Sequence, residues 1–291
     1  MKREVQIGNH WLGDGHPAYV VAEAGINHNG DLDLAKKLIL AAKNAGVDAV
    51  KFQKRTPELC VPPEQRNQMR ETPWGYITYL EYRYKTEFGE AEYKEIDRYC
   101  KEVGITWFAS VWDEPSVDFL EQYNPVCYKV PSASLTDSKL LLHLRKTGRP
   151  LIVSTGMSTM EQIKKAVALI GEENLVLTHA TSTYPCDPSE LNLRMIQTLR
   201  DTFSCPIGYS GHEVGLVTSA VAVGLGACMV ERHITLDRAM WGSDQSASVE
   251  PGGFEKLVKY VRVTEQAVGD GVKRVYDSEM SSLKKLRRVQ D

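Results

Sequence analysis

Short apolar runs alternate with amphipathic segments along most of this sequence, and this alternation restricts the fold more than any other feature. Eight such pairs occur between residues 19 and 268, beginning with the apolar run Tyr19–Gly25 and the helical pattern Asp31–Ala45. The apolar runs contain too few polar residues for one face to lie in water, which favours parallel strands covered by helices. Eight strand–helix pairs in about 250 residues are typical of a closed (β/α)8 TIM barrel.

An open doubly wound sheet is the alternative to a barrel. Such a sheet would carry a glycine-rich phosphate loop after its first strand, whereas here the strand continues into Gly25–Gly30, which lacks the GxGxxG order. A length of 291 residues would also allow two domains. We instead predict one α/β domain, a TIM barrel over residues 19–270, followed by a C-terminal tail over residues 271–291.

The segments outside the alternation receive separate predictions. Residues 1–18 are expected to form a short β-hairpin that closes the barrel floor, with Gly13–Gly15 as its turn. The segment Arg55–Gly89 is long for a connection and follows a barrel strand, so we expect it either at the catalytic rim or as a surface that docks a partner. At the start of the fifth helix, Ser158 and Glu161 have the spacing of a capping box.

Charge and hydropathy exclude several classes of function. The chain has 35 Lys and Arg against 38 Asp and Glu, a net charge of −3, which argues against broad binding to nucleic acid or to an anionic membrane. No apolar run reaches the roughly 18 residues of a membrane span, and the first residues lack the apolar core of a secretory signal. We therefore expect a cytoplasmic protein whose six cysteines, which form no CxxC pair, are reduced thiols.

Polar side chains occur at the carboxyl end of every predicted strand, where TIM-barrel enzymes have their active sites. Lys51 and Lys129 lie inside otherwise apolar runs. Because a buried, unpaired ammonium group is costly, we expect an anion between them, either a substrate or a carboxylate. Hydroxyl groups at other strand ends would complete a phosphate cradle with the two lysines, and they belong to Ser110, Ser132, Ser154 and Ser210.

Two histidines suggest a metal site. His212 and His233 end the seventh and eighth strands, which are neighbours in a closed barrel. Two imidazoles at adjacent strand ends, with Glu231 two residues from one of them, suit a divalent metal ion. Because no third protein ligand stands out, the pattern favours an exchangeable Mn²⁺, Mg²⁺ or Co²⁺ ion over a closed structural zinc site.

Several motifs resemble those of sialic acid synthases, in the same order and at similar intervals from about residue 4 to residue 280. They are AEAGINHNG (22–30), KFQ (51–53), YKVPS (128–132), STGM (154–157), IGYSGH (207–212), ERHITLD (231–237) and GSDQSAS (242–248). The resemblance implies a TIM barrel and a transferase that condenses phosphoenolpyruvate with an open-chain N-acetylhexosamine. N-acetylmannosamine is the default acceptor, and the products are then N-acetylneuraminate and phosphate.

The same resemblance implies roles for individual residues. His212 and His233 would hold the metal, with Mn²⁺ the first expectation. Glu23 and Asp244 would contact the sugar or transfer protons. The residues implied to surround phosphoenolpyruvate or to shape the pocket are Lys51, Gln53, Ser110, Lys129, Ser132, Ser154, Ser182, Tyr184 and Ser210.

Two departures from the family pattern concern the acceptor sugar. Family members usually carry a C-terminal antifreeze-like domain that supplies an arginine to the partner's site; we expect this chain to lack that domain and still to form a homodimer. In addition, Ser134 stands where many members have an acidic sugar contact. Other acceptors therefore stay open: a hexosamine 6-phosphate, mannose or a 2,4-diacetamido sugar. So do two other functions, a non-catalytic barrel that binds a sugar phosphate and a metal aldolase that uses free pyruvate.

Overall fold

All eight apolar runs form parallel strands in the computed structural model, which describes residues 2–289. In chain order the strands are β1 (Glu4–Ile7), β2 (His10–Gly13), β3 (Tyr19–Gly25), β4 (Ala49–Lys54), β5 (Met69–Thr72), β6 (Gly75–Thr78), β7 (Thr106–Val111), β8 (Tyr128–Val130), β9 (Leu151–Ser154), β10 (Leu175–Ala180), β11 (Ile207–Gly211) and β12 (Met229–His233). Strands β3, β4 and β7 to β12 close into one barrel, in which β12 pairs with β3. The predicted TIM barrel is confirmed.

Helices follow the barrel strands and cover the outside of the barrel. In chain order they are α1 (Leu32–Asn44), α2 (Pro57–Cys60), α3 (Tyr79–Thr86), α4 (Glu90–Val103), α5 (Glu114–Glu121), α6 (Ser138–Lys146), α7 (Met160–Ile170), α8 (Met195–Thr202), α9 (Val217–Gly224), α10 (Pro251–Val268) and α11 (Met280–Leu286). Their buried faces repeat at helical spacing, as Leu38 and Ala42 do on α1. None of the helices within residues 2–289 is both long enough and apolar enough to cross a membrane.

The start of α7 differs by one residue from the sequence prediction. The capping box is made by Thr159 and Gln162, whose side chains each accept a hydrogen bond from the other residue's backbone N–H. Ser158 instead donates its hydroxyl to the backbone carbonyl of Gly156, 3.2 Å away. The predicted capping box at Ser158 and Glu161 was therefore wrong. The two pairs of residues have the same spacing, so spacing alone could not distinguish them.

Alternation along each strand divides the interior into two cores, because successive side chains point to opposite faces. On β3, Val20 and Ala22 belong to the core between the barrel and its helices. Tyr19 and Val21 belong to a second cluster inside the barrel. The next inward position is Glu23, which lines a cavity at the carboxyl end of the barrel. The barrel interior is therefore apolar at one end and polar at the other.

The N-terminal hairpin closes the apolar end. Val5, Ile7 and Leu12 of β1 and β2 are buried in the same cluster as the inward side chains of the barrel. The outward residue Trp11 is 48% exposed. The predicted hairpin is confirmed, and it acts as an apolar plug for the barrel floor.

The hairpin turn lies elsewhere than predicted. Ile7 pairs with His10, so the turn is the two-residue loop Gly8–Asn9 rather than residues 13–15. Gly8 has a φ of 56°, a conformation that glycine adopts without strain and that tight hairpin turns require. Both Gly8–Asn9 and Gly13–Gly15 contain glycine, and the pairing of β1 with β2 shows which of them forms the hairpin turn.

The long segment between β4 and α4 lies at the polar end of the barrel. It folds as α2, the β5–β6 hairpin and α3. The rings of Trp74 and Tyr82 contact Trp241, with centroids 5.9 and 5.5 Å away, in the connection that follows β12. The structure thus places the segment on the rim where the polar strand ends open, while a role in docking a partner stays a prediction.

The plug role of the hairpin gives a stability prediction. Leu12→Ala removes a fully buried side chain, so we expect the free energy of unfolding to fall by about 3 kcal/mol, measured by urea denaturation. Trp11→Ala is the matched control because Trp11 precedes Leu12 on the same strand but points outward, and its loss should be much smaller. Equal losses in the two variants would contradict the plug role.

Candidate active site

A cavity of about 210 Å³ opens at the carboxyl ends of the barrel strands. Its wall contains every residue that the sequence predicted for the site except Ser134 and Asp244. Those residues are Glu23, Lys51, Gln53, Ser110, Lys129, Ser132, Ser154, Ser182, Tyr184, Ser210, His212 and His233. Inward positions of the strands thus bring side chains from distant parts of the chain into one cavity.

The two exceptions have different locations. Asp244 lies beside the cavity, with its Oδ2 atom 3.7 Å from Nδ1 of His233 and its Oδ1 atom accepting a hydrogen bond from Ser243. Ser134 is buried at the end of a short 3₁₀ turn and does not line the cavity, although Ser132 of the same turn does. Its contact with the acceptor sugar stays a prediction.

Four charged side chains form the cavity floor. Lys129 Nζ lies 2.9 Å from both carboxylate oxygens of Glu231. Lys51 Nζ contacts Glu23, donates a hydrogen bond to Ser110 Oγ at 2.6 Å and lies 3.6 Å from Glu231. The four side chains are 6% exposed or less. The expected anion between the lysines is therefore present as the carboxylate of Glu231.

Burial shifts the proton affinities of this floor. Desolvation lowers the pKa of Lys51 to about 7, although the charge of Glu231 opposes that shift. Burial opposes ionisation of Glu231, but Lys129 and Lys51 outweigh it and hold the pKa of that carboxyl below its usual value. A lysine whose pKa lies near neutrality can exchange a proton with a bound molecule, which is unusual outside functional sites.

Hydroxyl groups ring this charged floor. Ser210 Oγ donates to Glu231 at 3.1 Å, and Ser154 Oγ lies 2.8 Å from the hydroxyl of Thr178. Ser210, Ser154 and Thr178 are buried inside the barrel. A hydroxyl has one proton, so Ser210 can donate to an entering anion only by releasing Glu231. The Ser154–Thr178 pair shares one hydrogen bond and keeps one proton that can be donated to such an anion.

Gly156 is a site residue that the sequence prediction missed. Its backbone N–H donates to Ser132 Oγ at 3.1 Å. A Cβ atom at this position would collide with the hydroxyls of Ser132 and Ser182, so only glycine lets the chain approach both. Met157, next in the chain, has a φ of 56° and also lines the cavity. The signal was a Ser-Thr-Gly sequence directly after a strand, where a backbone N–H can point at a ligand.

Arg55 connects the rim segment to the cavity. It is buried, donates to Gln53 Oε1 and lies over the ring of Trp112 at 4.3 Å. Because Gln53 Oε1 accepts from Arg55, the other end of the amide donates to Glu23 at 3.0 Å. Trp112 lines the cavity directly after β7 and was also missed, since a single aromatic residue at a strand end carries no chemical signal of its own.

The two histidines face each other across adjacent strands. Their ring centroids are 5.5 Å apart, and the ring of Tyr184 lies 4.2 Å from His212. His212 Nδ1 donates to the carbonyl of Thr181 at 2.7 Å, which leaves Nε2 with a lone pair. His233 Nδ1 is buried and has no hydrogen-bond partner in the described part of the chain.

The surroundings of both imidazoles lower their pKa values and so favour the neutral form. Burial, with the second histidine as the next cause, lowers the pKa of His212 to about 4. Burial also lowers the pKa of His233, although Asp244 opposes that shift. Neutral imidazole is the form that binds a metal ion, and a ring held by a carbonyl at its other nitrogen is the usual arrangement. Within residues 2–289, no group of three or more His, Cys, Asp or Glu is placed to hold a metal ion.

A barrel with a charged, hydroxyl-rich cavity at its carboxyl end is the form of a TIM-barrel enzyme. The sequence model of the NeuB family matches residues 38–273, and the chain belongs to that family. It is 41% identical to the N-acetylneuraminate-9-phosphate synthase of Homo sapiens over 95% of this chain and 78% of the human protein. It is 35% identical to the N,N'-diacetyllegionaminic acid synthase of Legionella pneumophila over 95% of this chain and 80% of that protein.

A solved structure supports the same family assignment. The N-acetylneuraminic acid synthetase of Leptospira borgpetersenii, crystallised with citrate, matches with a TM-score of 0.88 and 30% identity over 99% of each chain. The family resemblance predicted from the motifs is thus confirmed. The chain is an enzyme of the synthase class to which these relatives belong.

The cavity floor gives a second stability prediction. Glu231→Gln leaves Lys129 buried without its carboxylate partner, and we expect the free energy of unfolding to fall by about 3 kcal/mol in urea denaturation at neutral pH. Glu161→Gln is the control, because Glu161 pairs with Lys165 on the exposed surface of α7 and its change should have no measurable effect. A Glu231→Gln protein as stable as wild type would show that the floor is not held by this pair.

Proposed function

We propose that this enzyme condenses phosphoenolpyruvate with the aldehyde of an open-chain N-acetylhexosamine, giving a nonulosonic acid and phosphate. N-acetylmannosamine is the default acceptor and N-acetylneuraminate the default product. The observation that carries the proposal is one cavity in which lysine and serine side chains lie beside a pair of neutral histidines. The names of the relatives, which are synthases of sialic and legionaminic acids, support the same reaction class.

The lysine and serine side chains suit phosphoenolpyruvate. Its carboxylate and phosphate are both anionic and require cationic and hydrogen-bonding partners. Lys129 uses two of its three ammonium protons on Glu231, so one stays available to the substrate. Ser132 and Ser182 also line the cavity, and Ser132 Oγ accepts from the Gly156 N–H, which leaves its own hydroxyl proton for the substrate.

A divalent cation at His212 and His233 belongs to this proposal, with Mn²⁺ first and Mg²⁺ or Co²⁺ as alternatives. The residues fit such an ion, because both imidazoles are neutral and His233 Nδ1 is buried without a hydrogen-bond partner in residues 2–289. When bound, the cation would polarise the sugar aldehyde and stabilise negative charge on its oxygen.

The reaction needs residues that hold the sugar and move protons. C3 of phosphoenolpyruvate attacks the aldehyde carbon, water adds at C2, and phosphate leaves as the C2–O bond breaks. The attacking water loses both of its protons in this sequence, one to the aldehyde oxygen and one to the departing phosphate. Glu23 in the floor and Asp244 beside His233 are the carboxylates placed to bind sugar hydroxyls or to transfer these protons. Gln53 orients Glu23 through its 3.0 Å hydrogen bond.

One observation favours a phosphorylated acceptor as a second candidate. A groove on the rim beside Asp244 is lined by Arg70, Glu71, Tyr82, Arg83, Met240, Trp241, Gly242 and Ser243. Within residues 2–289 neither arginine has a carboxylate within 4.0 Å, and both guanidinium groups lie over the ring of Tyr79. Two arginines without acidic partners suit a phosphate group at the end of the sugar remote from the aldehyde. The human relative, named a 9-phosphate synthase, accords with this candidate.

Other parts of the sequence-based prediction stay predictions. The homodimer is supported by the family resemblance alone, and the cytoplasmic location stays an expectation from the sequence. Mannose and diacetamido sugars stay possible acceptors, since a legionaminic acid synthase is among the relatives.

A panel of acceptors tests the reaction. We expect phosphate release from phosphoenolpyruvate in the presence of Mn²⁺ with N-acetylmannosamine or its 6-phosphate, and slower or no release with mannose and diacetamido sugars. A coupled phosphate assay measures the rate for each sugar, and a reaction without sugar gives the background. No release with any aldose would leave the non-catalytic barrel as the better interpretation. Consumption of free pyruvate without phosphate release would favour the aldolase.

The rim arginines make a separate prediction about the acceptor. Arg83→Gln removes a cation from the groove, so KM for N-acetylmannosamine 6-phosphate should rise about tenfold or more, while KM for N-acetylmannosamine stays unchanged. Lys85→Gln is the matched control, because Lys85 is an exposed cation on the same helix outside the groove. An equal effect on both acceptors would show that Arg83 does not recognise the phosphate.

A further inference from the structure

A buried ion pair lies behind the two histidines and outside the cavity. Glu213 directly follows His212, and Arg232 directly precedes His233. Arg232 Nη1 lies 2.9 Å from Glu213 Oε1, and both side chains are fully buried. Because residues alternate along a strand, Arg232 points outward from β12 while His233 points into the cavity.

Arg232 fixes the chain on the far side of His212. Its Nη1 atom donates to the backbone carbonyl of Gly215 at 2.8 Å and to Ser219 Oγ at 3.0 Å. Its Nη2 atom donates to the backbone carbonyl of Glu213. One guanidinium group of β12 thus holds the segment that begins immediately after the histidine of β11.

Glu213 connects the same segment back to β11. Its carboxylate accepts hydrogen bonds from Tyr209, at 2.8 Å, and from Thr218. Tyr209 lies three residues before His212 on the strand that presents this histidine. The pair therefore bridges both strands at the residues next to the two imidazoles.

A buried ion pair is not a general device for stability. Removing two charges from water costs several kcal/mol, and a well-packed apolar pair of similar volume often stabilises a protein as much. The charged pair instead fixes the orientation of the groups that it binds, because the planar guanidinium group has five N–H donors in fixed geometry. His233 depends on such support, since its Nδ1 atom has no hydrogen-bond partner in the described chain that could orient the ring.

We propose that Glu213 and Arg232 are positioning residues that hold His212 and His233 at the separation needed to bind one divalent cation. The proposal rests on the proposed function, in which these histidines bind the cation. It assigns a role to two residues that touch neither the cavity nor the substrate.

The test is Mn²⁺ binding by the substrate-free protein, measured from the electron paramagnetic resonance signal of free Mn²⁺. Arg232→Lys keeps the charge but loses the several N–H donors of the guanidinium group. The Kd for Mn²⁺ should therefore rise at least tenfold, as is typical when an outer contact of a metal ligand is removed. Tyr209→Phe removes one hydrogen bond to Glu213 and should raise the Kd about threefold. Arg149→Lys is the control, because Arg149 pairs with Glu121 away from the histidines and should leave the Kd unchanged.

One further variant separates the possible failures. His233→Ala should abolish binding at the site, and wild-type Mn²⁺ binding by that variant would overturn the proposed cation site itself. If His233→Ala loses binding while Arg232→Lys and Tyr209→Phe bind as wild type does, the positioning role is wrong. An Arg149→Lys protein that loses affinity as much as Arg232→Lys would also overturn it, since the effect would then be general. If Arg232→Lys does not fold, Tyr209→Phe alone tests the proposal: a raised Kd supports the positioning role, and a wild-type Kd contradicts it.

Discussion

The site depends on two lysines buried beside two glutamates inside the barrel. Lys51 and Lys129 could not be held at the centre of an apolar structure without Glu23 and Glu231, because an isolated buried charge costs far more than a domain's whole stability. The pairing leaves ammonium protons and hydroxyl groups facing the cavity, and the charged side chains themselves are almost fully buried. A floor of this kind is arranged before the substrate arrives, so little reorganisation is needed when an anion binds.

The remaining parts of the site are arranged around this floor by strand order. β12 contributes both Glu231 to the floor and His233 to the rim, two residues apart on one face. The outward residue between them, Arg232, joins β12 to the chain after His212. The chemistry of phosphoenolpyruvate and of the sugar aldehyde thus falls on neighbouring inward positions, while the rim segment reaches the same cavity through Arg55.

Much of this arrangement could be predicted from the sequence. Strand–helix alternation predicted the barrel because each parallel strand is buried on both faces, and the lysines in apolar runs predicted a buried anion. The sequence could not decide that the anion is Glu231, because that contact joins residues 102 positions apart and exists only once the barrel closes. The Ser158 box failed for a local reason, since the neighbouring Thr159 has similar chemistry and takes the capping position.

The central claim is that the lysine floor binds phosphoenolpyruvate, and equilibrium calorimetry without any sugar tests it most directly. Lys129→Met keeps the length of the side chain, and Lys51, whose Nζ lies 3.6 Å from Glu231, remains as the cation beside that carboxylate. We predict that the Kd for phosphoenolpyruvate rises about 30-fold, which corresponds to ~2 kcal/mol for a lost charged hydrogen bond. The exposed Lys139→Met control should bind as wild type does. An unchanged Kd in Lys129→Met would contradict the account.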